Sequence, residues 1–197
     1  MNDKKLQAAF QSHGFSCAFF ASGAEAAAYL SETLTGRTIG IGGSVTVRQI
    51  GLYELLAQKN AVVWHHRIAG DETKRLAAQC AVYITSANAA SETGELVNMD
   101  GAGNRLAMTL YGPEQVYYLI GRNKIVPDCA AAIWRAKHIA APKNAQRTRA
   151  HTPCAERGDR CYNCDCPARI CRATLILDRA PNRTPSKILF IDEDLGF

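Results

Sequence analysis

Cys154, Cys161, Cys164 and Cys171 follow one another in the spacing C-x6-C-x2-C-x6-C, with Cys166 between the last two. Five of the chain's eight cysteines therefore fall within eighteen residues. Thiolates are the soft ligands of zinc and of iron–sulfur centres, and the reacting groups of redox switches. The two-residue gap between Cys161 and Cys164 lets both sulfurs reach one ion. Structural zinc ordinarily uses two such close pairs, and this segment has one. An iron–sulfur cluster accepts a looser set of four thiolates, and Cys166-Pro167 resembles the Cys-Pro of some cluster loops. Arg157, Arg160, Arg169 and Arg172 supply positive charge that favours ionised thiols. A dithiol switch also explains the close pair but leaves the outer cysteines idle; inert thiols are the third reading. The expectation is an inorganic centre, iron–sulfur or zinc, on Cys154, Cys161, Cys164 and Cys171, with Cys166 as a spare. Cys17, Cys80 and Cys129 lie in strand or helix patterns and read as small core residues.

Three other stretches combine glycine, amide and charge. Gly40-Ile-Gly42-Gly43-Ser44 follows an apolar run and precedes a helical one. Glycines there let backbone amides approach an anion, and Ser44 can cap the helix or donate to a ligand. The spacing of a phosphate-binding loop or dinucleotide fingerprint is missing, so a tight turn that binds nothing stays open. Asn88, Glu95, Asp100, Asn104 and Arg105 come next, as two amides, two carboxylates and a guanidinium. Glu95 or Asp100 is the candidate general base, with Asn88 orienting a carboxylate or carbonyl; turn-building is the plain alternative. Arg122, Asn123 and Lys124 directly follow the run VYYLIG and are candidate anion contacts, Arg122 with bidentate geometry available. His65 and His66 are read as surface residues, because neighbours on an extended chain point opposite ways.

The elements that must carry these residues alternate. Helical spacing over Asp3–His13, strand-like Phe15–Phe20, and a capping-box pattern at Ser22–Glu25 open the chain. Arg37–Gly42, Ala61–Trp64, Cys80–Thr85, Val116–Gly121, Ala173–Leu177 and Lys187–Ile191 read as further strands. Helices are expected from Gly43 to about Gln58, over Asp71–Gln79, and from Pro127, as first helical residue, to about Ile139. Strands apolar throughout and separated by helices imply an α/β fold with a mostly parallel sheet covered on both faces. Polar, cysteine-rich 142–172 reads as an excursion within a single domain spanning 1–197.

A chain of 197 residues is long enough to bury a core, and 47% hydrophobic with 21% charged residues is ordinary for a globular protein. No apolar run approaches the ~18–20 residues that span a bilayer, and MNDKKLQAAF lacks a signal peptide's apolar core. A cytoplasmic, reducing setting is expected, where clustered cysteines bind metal or do chemistry more often than they form disulfides. The net charge of +5 is uneven: Arg122–Lys187 holds fourteen Lys/Arg against five Asp/Glu. That half is expected to face an anionic small molecule, or else to be a solvated basic face. Nucleic acid is disfavoured, since no stretch interleaves aromatic and basic residues.

GGSVTVRQIGLYELL, TSANAASETGELVNMDGAGNR, YGPEQVYYLIGRNKIVPD and TPCAERGDRCYNCDCPARIC, in that order, resemble the LUD domain, the family of the lactate utilisation protein C component. The resemblance runs from about Gly40 to the end. It implies a three-layer α/β/α fold of the NagB/RpiA/CoA transferase-like superfamily and a bacterial role, with iron–sulfur partner proteins, in oxidising lactate. Two functions are carried forward. One is an accessory protein of lactate or related 2-hydroxy-acid oxidation, binding an anionic small molecule at the strand ends beside iron–sulfur partner subunits. The other is a stand-alone CoA-transferase or sugar-phosphate-isomerase type of enzyme using Glu95 or Asp100 on a small acid. Homo-oligomerisation is left open.

Overall fold

The computed structural model describes residues 2–197. Its strands, in chain order, are β1 (Ser16–Phe20), β2 (Thr38–Ile41), β3 (Ala61–Trp64), β4 (Val82–Thr85), β5 (Ala89–Ser91), β6 (Leu96–Asp100), β7 (Gln115–Gly121), β8 (Ile125–Val126), β9 (Ala173–Leu177) and β10 (Ser186–Ile191). Its helices are α1 (Asp3–Ser12), α2 (Gly23–Thr33), α3 (Val45–Gln49), α4 (Leu52–Leu56), α5 (Asp71–Ala77), α6 (Asn104–Leu110), α7 (Cys129–Arg135), α8 (Ala141–Arg147) and α9 (Pro153–Arg157).

Six strands form one parallel sheet in the order β1-β10-β7-β4-β2-β3. Alternation along its central strand shows why both faces need cover. Val116, Tyr118 and Ile120 of β7 join Phe10 of α1, Met108 of α6 and Leu96 of β6 on one side. Tyr117 and Leu119 join Leu30 of α2, Val47 of α3 and Leu52 of α4 on the other. Each fully buried side chain of this size contributes roughly 1.5–3 kcal/mol, so a run apolar on both faces is stable only between two layers. The expected α/β architecture, a parallel sheet flanked by helices, is what forms.

A second sheet was not anticipated. It has the order β8-β5-β6-β9, with β6 antiparallel to both β5 and β9. Its far face packs Ala89 and Val97 against Ala132 and Ala136, small residues that let the helix come close. Ala173–Leu177, expected in the main sheet, is β9 of this one, pairing Asp100 with Ala173 and Leu96 with Leu177.

Other boundaries shift for local reasons. Gly51 in the left-handed region divides the expected Gly43–Gln58 helix into α3 and α4. Pro127 lies before the helix start: Asp128 is the N-cap, its Oδ1 accepting the Ala131 N–H at 2.8 Å. The helix then passes Ile139 through a π turn, Ala136–Ala140, and continues as α8 to Arg147 with Pro142 in its first turn. The cysteine-rich excursion thus leaves the helix at Arg147 rather than at 142. Among the described residues no helix is long and apolar enough to cross a membrane.

Candidate functional site

Segments following four parallel strands meet at one cavity of about 190 Å³. Gly43 and Ser44 follow β2, His65 and His66 follow β3, Ser86 to Asn88 follow β4, and Lys124 follows β7. The crevice outside the carboxyl ends of parallel strands is the usual ligand position in open α/β sheets. The second sheet and α6 add Asp100, Asn104 and Arg105, and α8 adds Asn144 and Arg147.

Arg105 organises the wall made by β6. Its guanidinium donates to Asn98 Oδ1 at 2.6 Å, to Asn88 Oδ1 at 3.3 Å, and to the carbonyls of Ser86 and Met99. Asp100 completes the set: its Oδ2 lies 3.8 Å from Arg105 Nε and accepts the Arg105 backbone N–H at 3.2 Å. Burial lowers the Arg105 pKa, opposed by Asp100. With its donors so engaged, Arg105 holds the loops in place, and Asn88 and Asp100 are its partners.

Lys124 is different. It is only 3% exposed, yet it lines the cavity. Its Nζ donates to Ser86 Oγ at 2.8 Å and Thr46 Oγ1 at 2.9 Å. Burial, with Arg135 and Arg105 nearby, lowers its pKa to about 7. A buried amine among guanidiniums is neutral far more often than an exposed lysine.

His65 and His66 both line this cavity, correcting their reading as surface residues. They sit in the turn after β3, where the opposed directions of neighbouring strand residues no longer apply. The rings meet edge to face at 4.7 Å. Burial lowers both pKa values, His66 to about 4 with help from His65. At neutral pH both present neutral nitrogens. Arg147, whose charge also disfavours protonation of both rings, has its guanidinium on Asn144 Oδ1 at 2.8 and 3.0 Å.

Not every expected site residue arrives here. Asp100, Gly43, Ser44, Asn88, Asn104 and Lys124 do, as does Arg105. Glu95 is outside the cavity wall, in the turn between β5 and β6, accepting from Ser91 Oγ and from Thr93 Oγ1 at 2.5 Å. Partial burial raises its pKa, but these hydrogen bonds outweigh that, so the carboxyl titrates below its usual value. Arg122 points outward, its side chain 53% exposed, 3.0 Å from Asp194 and 3.8 Å from Asp192. Asn123 is also outside: its Oδ1 accepts the Leu195 N–H at 3.1 Å. Gly42 lies beneath the cavity, where a Cβ would press to 2.8 Å from the Tyr83 hydroxyl. Sequence reasoning missed Ser86's hydroxyl, Arg147 and the segment Gly196-Phe197; the one available signal was the basic surplus after Arg122.

Cys154, Cys161, Cys164 and Cys171 all line a second, much smaller cavity, floored by Pro142 and Ala141 of α8. Arg169 ties the loop together, donating to the carbonyls of Cys164 at 2.9 Å and Cys171 at 3.0 Å. Cys166 is not idle: its Sγ stands 3.5 Å from that of Cys164. Burial and this contact raise the Cys164 pKa, against the expectation that nearby arginines ionise the thiols. All eight cysteines are free, and among the described residues no three His, Cys, Asp or Glu side chains are placed to grip a single metal ion. The two cavities share a wall. Ala141, Ile170 and Cys171 line both, and the Arg172 N–H on the Asp100 carbonyl at 3.0 Å pins that wall to β6.

The family model of the LUD domain matches residues 4–191, nearly the whole chain. The chain belongs to the LUD domain family. Lys124, the Arg105 network and all the clustered cysteines lie inside the LUD match; Gly196 and Phe197 lie beyond it. A crystal structure of a DUF162 family protein from Deinococcus radiodurans is similar over 95% of this chain and 94% of that one, with a TM-score of 0.53 and 12% identity. At that identity the likeness supports the LUD fold alone. Ribose 5-phosphate isomerase A from Neisseria gonorrhoeae is more distant, covering 54% of each chain at 18% identity and a TM-score of 0.36. Among curated proteins none matches.

Proposed function

We propose that this LUD domain is an accessory protein in the oxidation of lactate or a related 2-hydroxy acid. The acid binds in the larger cavity, an iron–sulfur centre sits on the four cysteines, and iron–sulfur partner subunits carry the electrons onward. The observation that carries the reading is the wall shared through Cys171: a small acid in one cavity would lie directly against the thiol cage of the other. Charge supports the anion. Arg105 and Arg147 line the larger cavity with Asp100 as its lining carboxylate, which Arg105 already engages. At about 190 Å³ the cavity has room for a small organic acid.

The cysteines favour a cluster over zinc. Structural zinc ordinarily uses two close cysteine pairs, and this segment has one; among the described residues no three donors are gathered for a metal ion of either kind. The cavity that the four cysteines line is only about 10 Å³, so a cluster on them requires the loop to open around it; once held, it would pass electrons one at a time, with the partner subunits taking the second electron of the two-electron oxidation. Anaerobic purification followed by iron and sulfide analysis tests this. Iron and sulfide in equal amount, lost in Cys161→Ser, supports the cluster; one zinc per chain, or neither, contradicts it.

A second reading, a stand-alone isomerase or CoA-transferase type of enzyme, draws on Asp100 in the cavity as a carboxylate base. Turnover of small acids by the isolated chain, lost in Asp100→Asn with the fold kept, would favour it over the accessory role.

A further inference from the structure

Lys124 has a bonding arrangement that anion binding does not use. The Ser86 hydroxyl, which accepts from the amine, donates its own proton to the Leu119 carbonyl at 2.6 Å. The Thr46 hydroxyl accepts likewise and reaches the Leu195 carbonyl at 3.4 Å. Both hydroxyls are therefore acceptors toward Nζ. A neutral amine has two hydrogens and one lone pair, so the two hydroxyls take both hydrogens and leave the lone pair without a partner. No ion pair to a carboxylate involves Lys124 among the described residues. Gly196 completes the setting with φ of +70°, and a Cβ there would stand 2.8 Å from Nζ. Any other residue would crowd the amine. Desolvation and the neighbouring guanidiniums Arg135 and Arg105 hold the group near neutrality, the condition under which lysine acts as a nucleophile.

We propose that Lys124 forms a Schiff base with the carbonyl carbon of a 2-oxo acid bound in the larger cavity. The amine lone pair adds to the carbonyl carbon as the C=O π pair moves to oxygen, and one nitrogen proton passes to that oxygen to give a carbinolamine. The carbinolamine then loses its hydroxyl together with the second nitrogen proton as water, the nitrogen lone pair closing the C=N. Carbon keeps its oxidation state, so neither oxidant nor reductant takes part. Arg147 and the neutral His65 and His66 also line the cavity and can receive the carboxylate. The inference rests on the proposed small-acid site and adds what the site does with the oxidised product: it holds the oxo acid covalently and acidifies the hydrogens on the carbon next to the imine.

The test is reductive trapping. Full-length protein is incubated with pyruvate and cyanoborohydride, and the adduct is located by peptide mapping. The expected result is one adduct per chain on Lys124, absent from Lys124→Arg. Pyruvate methyl-hydrogen exchange into deuterated water should likewise fall at least tenfold in that variant. No adduct, or adducts spread over exposed lysines, overturns the Schiff base; mapping the unmodified sequence makes that outcome independent of whether the variant folds. Calorimetric titration with pyruvate, without reductant, separates the two claims. Binding without trapping leaves the acid site standing and removes the imine, whereas no binding removes both.

Discussion

The cavity beside the sheet and the cysteine loop behind it are held together in opposite ways. In the first, two basic side chains are tied to the protein: Arg105 bridges two asparagines, two carbonyls and Asp100, and Lys124 rests on two hydroxyls. In the second, helix α9 buries no residue, and the segment from Gly158 to Arg172 contains neither helix nor strand. Cys154, Cys161, Cys164 and Cys171 line one small cavity, Cys166 lies outside its lining, and Cys164 and Cys166 are in contact at 3.5 Å. The sheet builds its site before any ligand arrives. The loop is tied by two arginines to its own backbone, Arg169 on the carbonyls of Cys164 and Cys171 and Arg172 on those of Arg169 and Pro167.

Substitutions should separate the two regions by size of effect. Arg105→Met leaves buried Asn98 and half-buried Asp100 and Asn88 without their cation, and should cost about 3–5 kcal/mol in unfolding free energy. Cys154→Ser in metal-free protein should cost less than ~0.5 kcal/mol. Urea unfolding of both variants checks the contrast, and comparable losses would break it.

Lys124 gives a pH signature next in size. Its folded pKa, about 7, lies below the ordinary lysine value of 10.5, so between those values the unfolded chain binds the extra proton. Stability should therefore rise from pH 7 toward pH 9. The penalty present below pH 7 is on the order of a few kcal/mol, and Lys124→Met should flatten the slope. An unchanged slope in the variant would show that other groups set it.

Glu95→Gln should have the smallest consequence. Two hydroxyl bonds in its turn weaken, at roughly 1 kcal/mol, and binding of small acids in the cavity stays as it was. Since hydrogen bonds hold this carboxyl below its usual range, its contribution is present at neutral pH and fades as pH falls through its folded pKa. A large loss of acid binding in Glu95→Gln would bring it back to the site.

What could be read from the sequence follows the same division. VYYLIG and CAVYIT are apolar on successive residues, and only a strand covered on both faces satisfies that pattern, so the parallel sheet was legible. Ser22 and Glu25 announced α2, and the hydroxyl does accept the Glu25 N–H at 3.2 Å. β5 and β6 were not legible. They are short, and Asn98 within β6 looks like a turn residue until Arg105 is seen to satisfy it. Position after a strand was too coarse a guide for Arg122 and Lys124: two residues apart, one points to solvent and the other into the cavity. The turn that brings both histidines inward is likewise invisible to strand alternation.

The central claim, an acid cavity and a thiol-held centre sharing Cys171, is tested most directly by electron paramagnetic resonance of anaerobically prepared, reduced protein with and without lactate or pyruvate. The account predicts an iron–sulfur signal whose line shape changes when the acid is added, and no such signal in Cys171→Ser. A signal indifferent to the acid, or none in the unmodified chain, would contradict it.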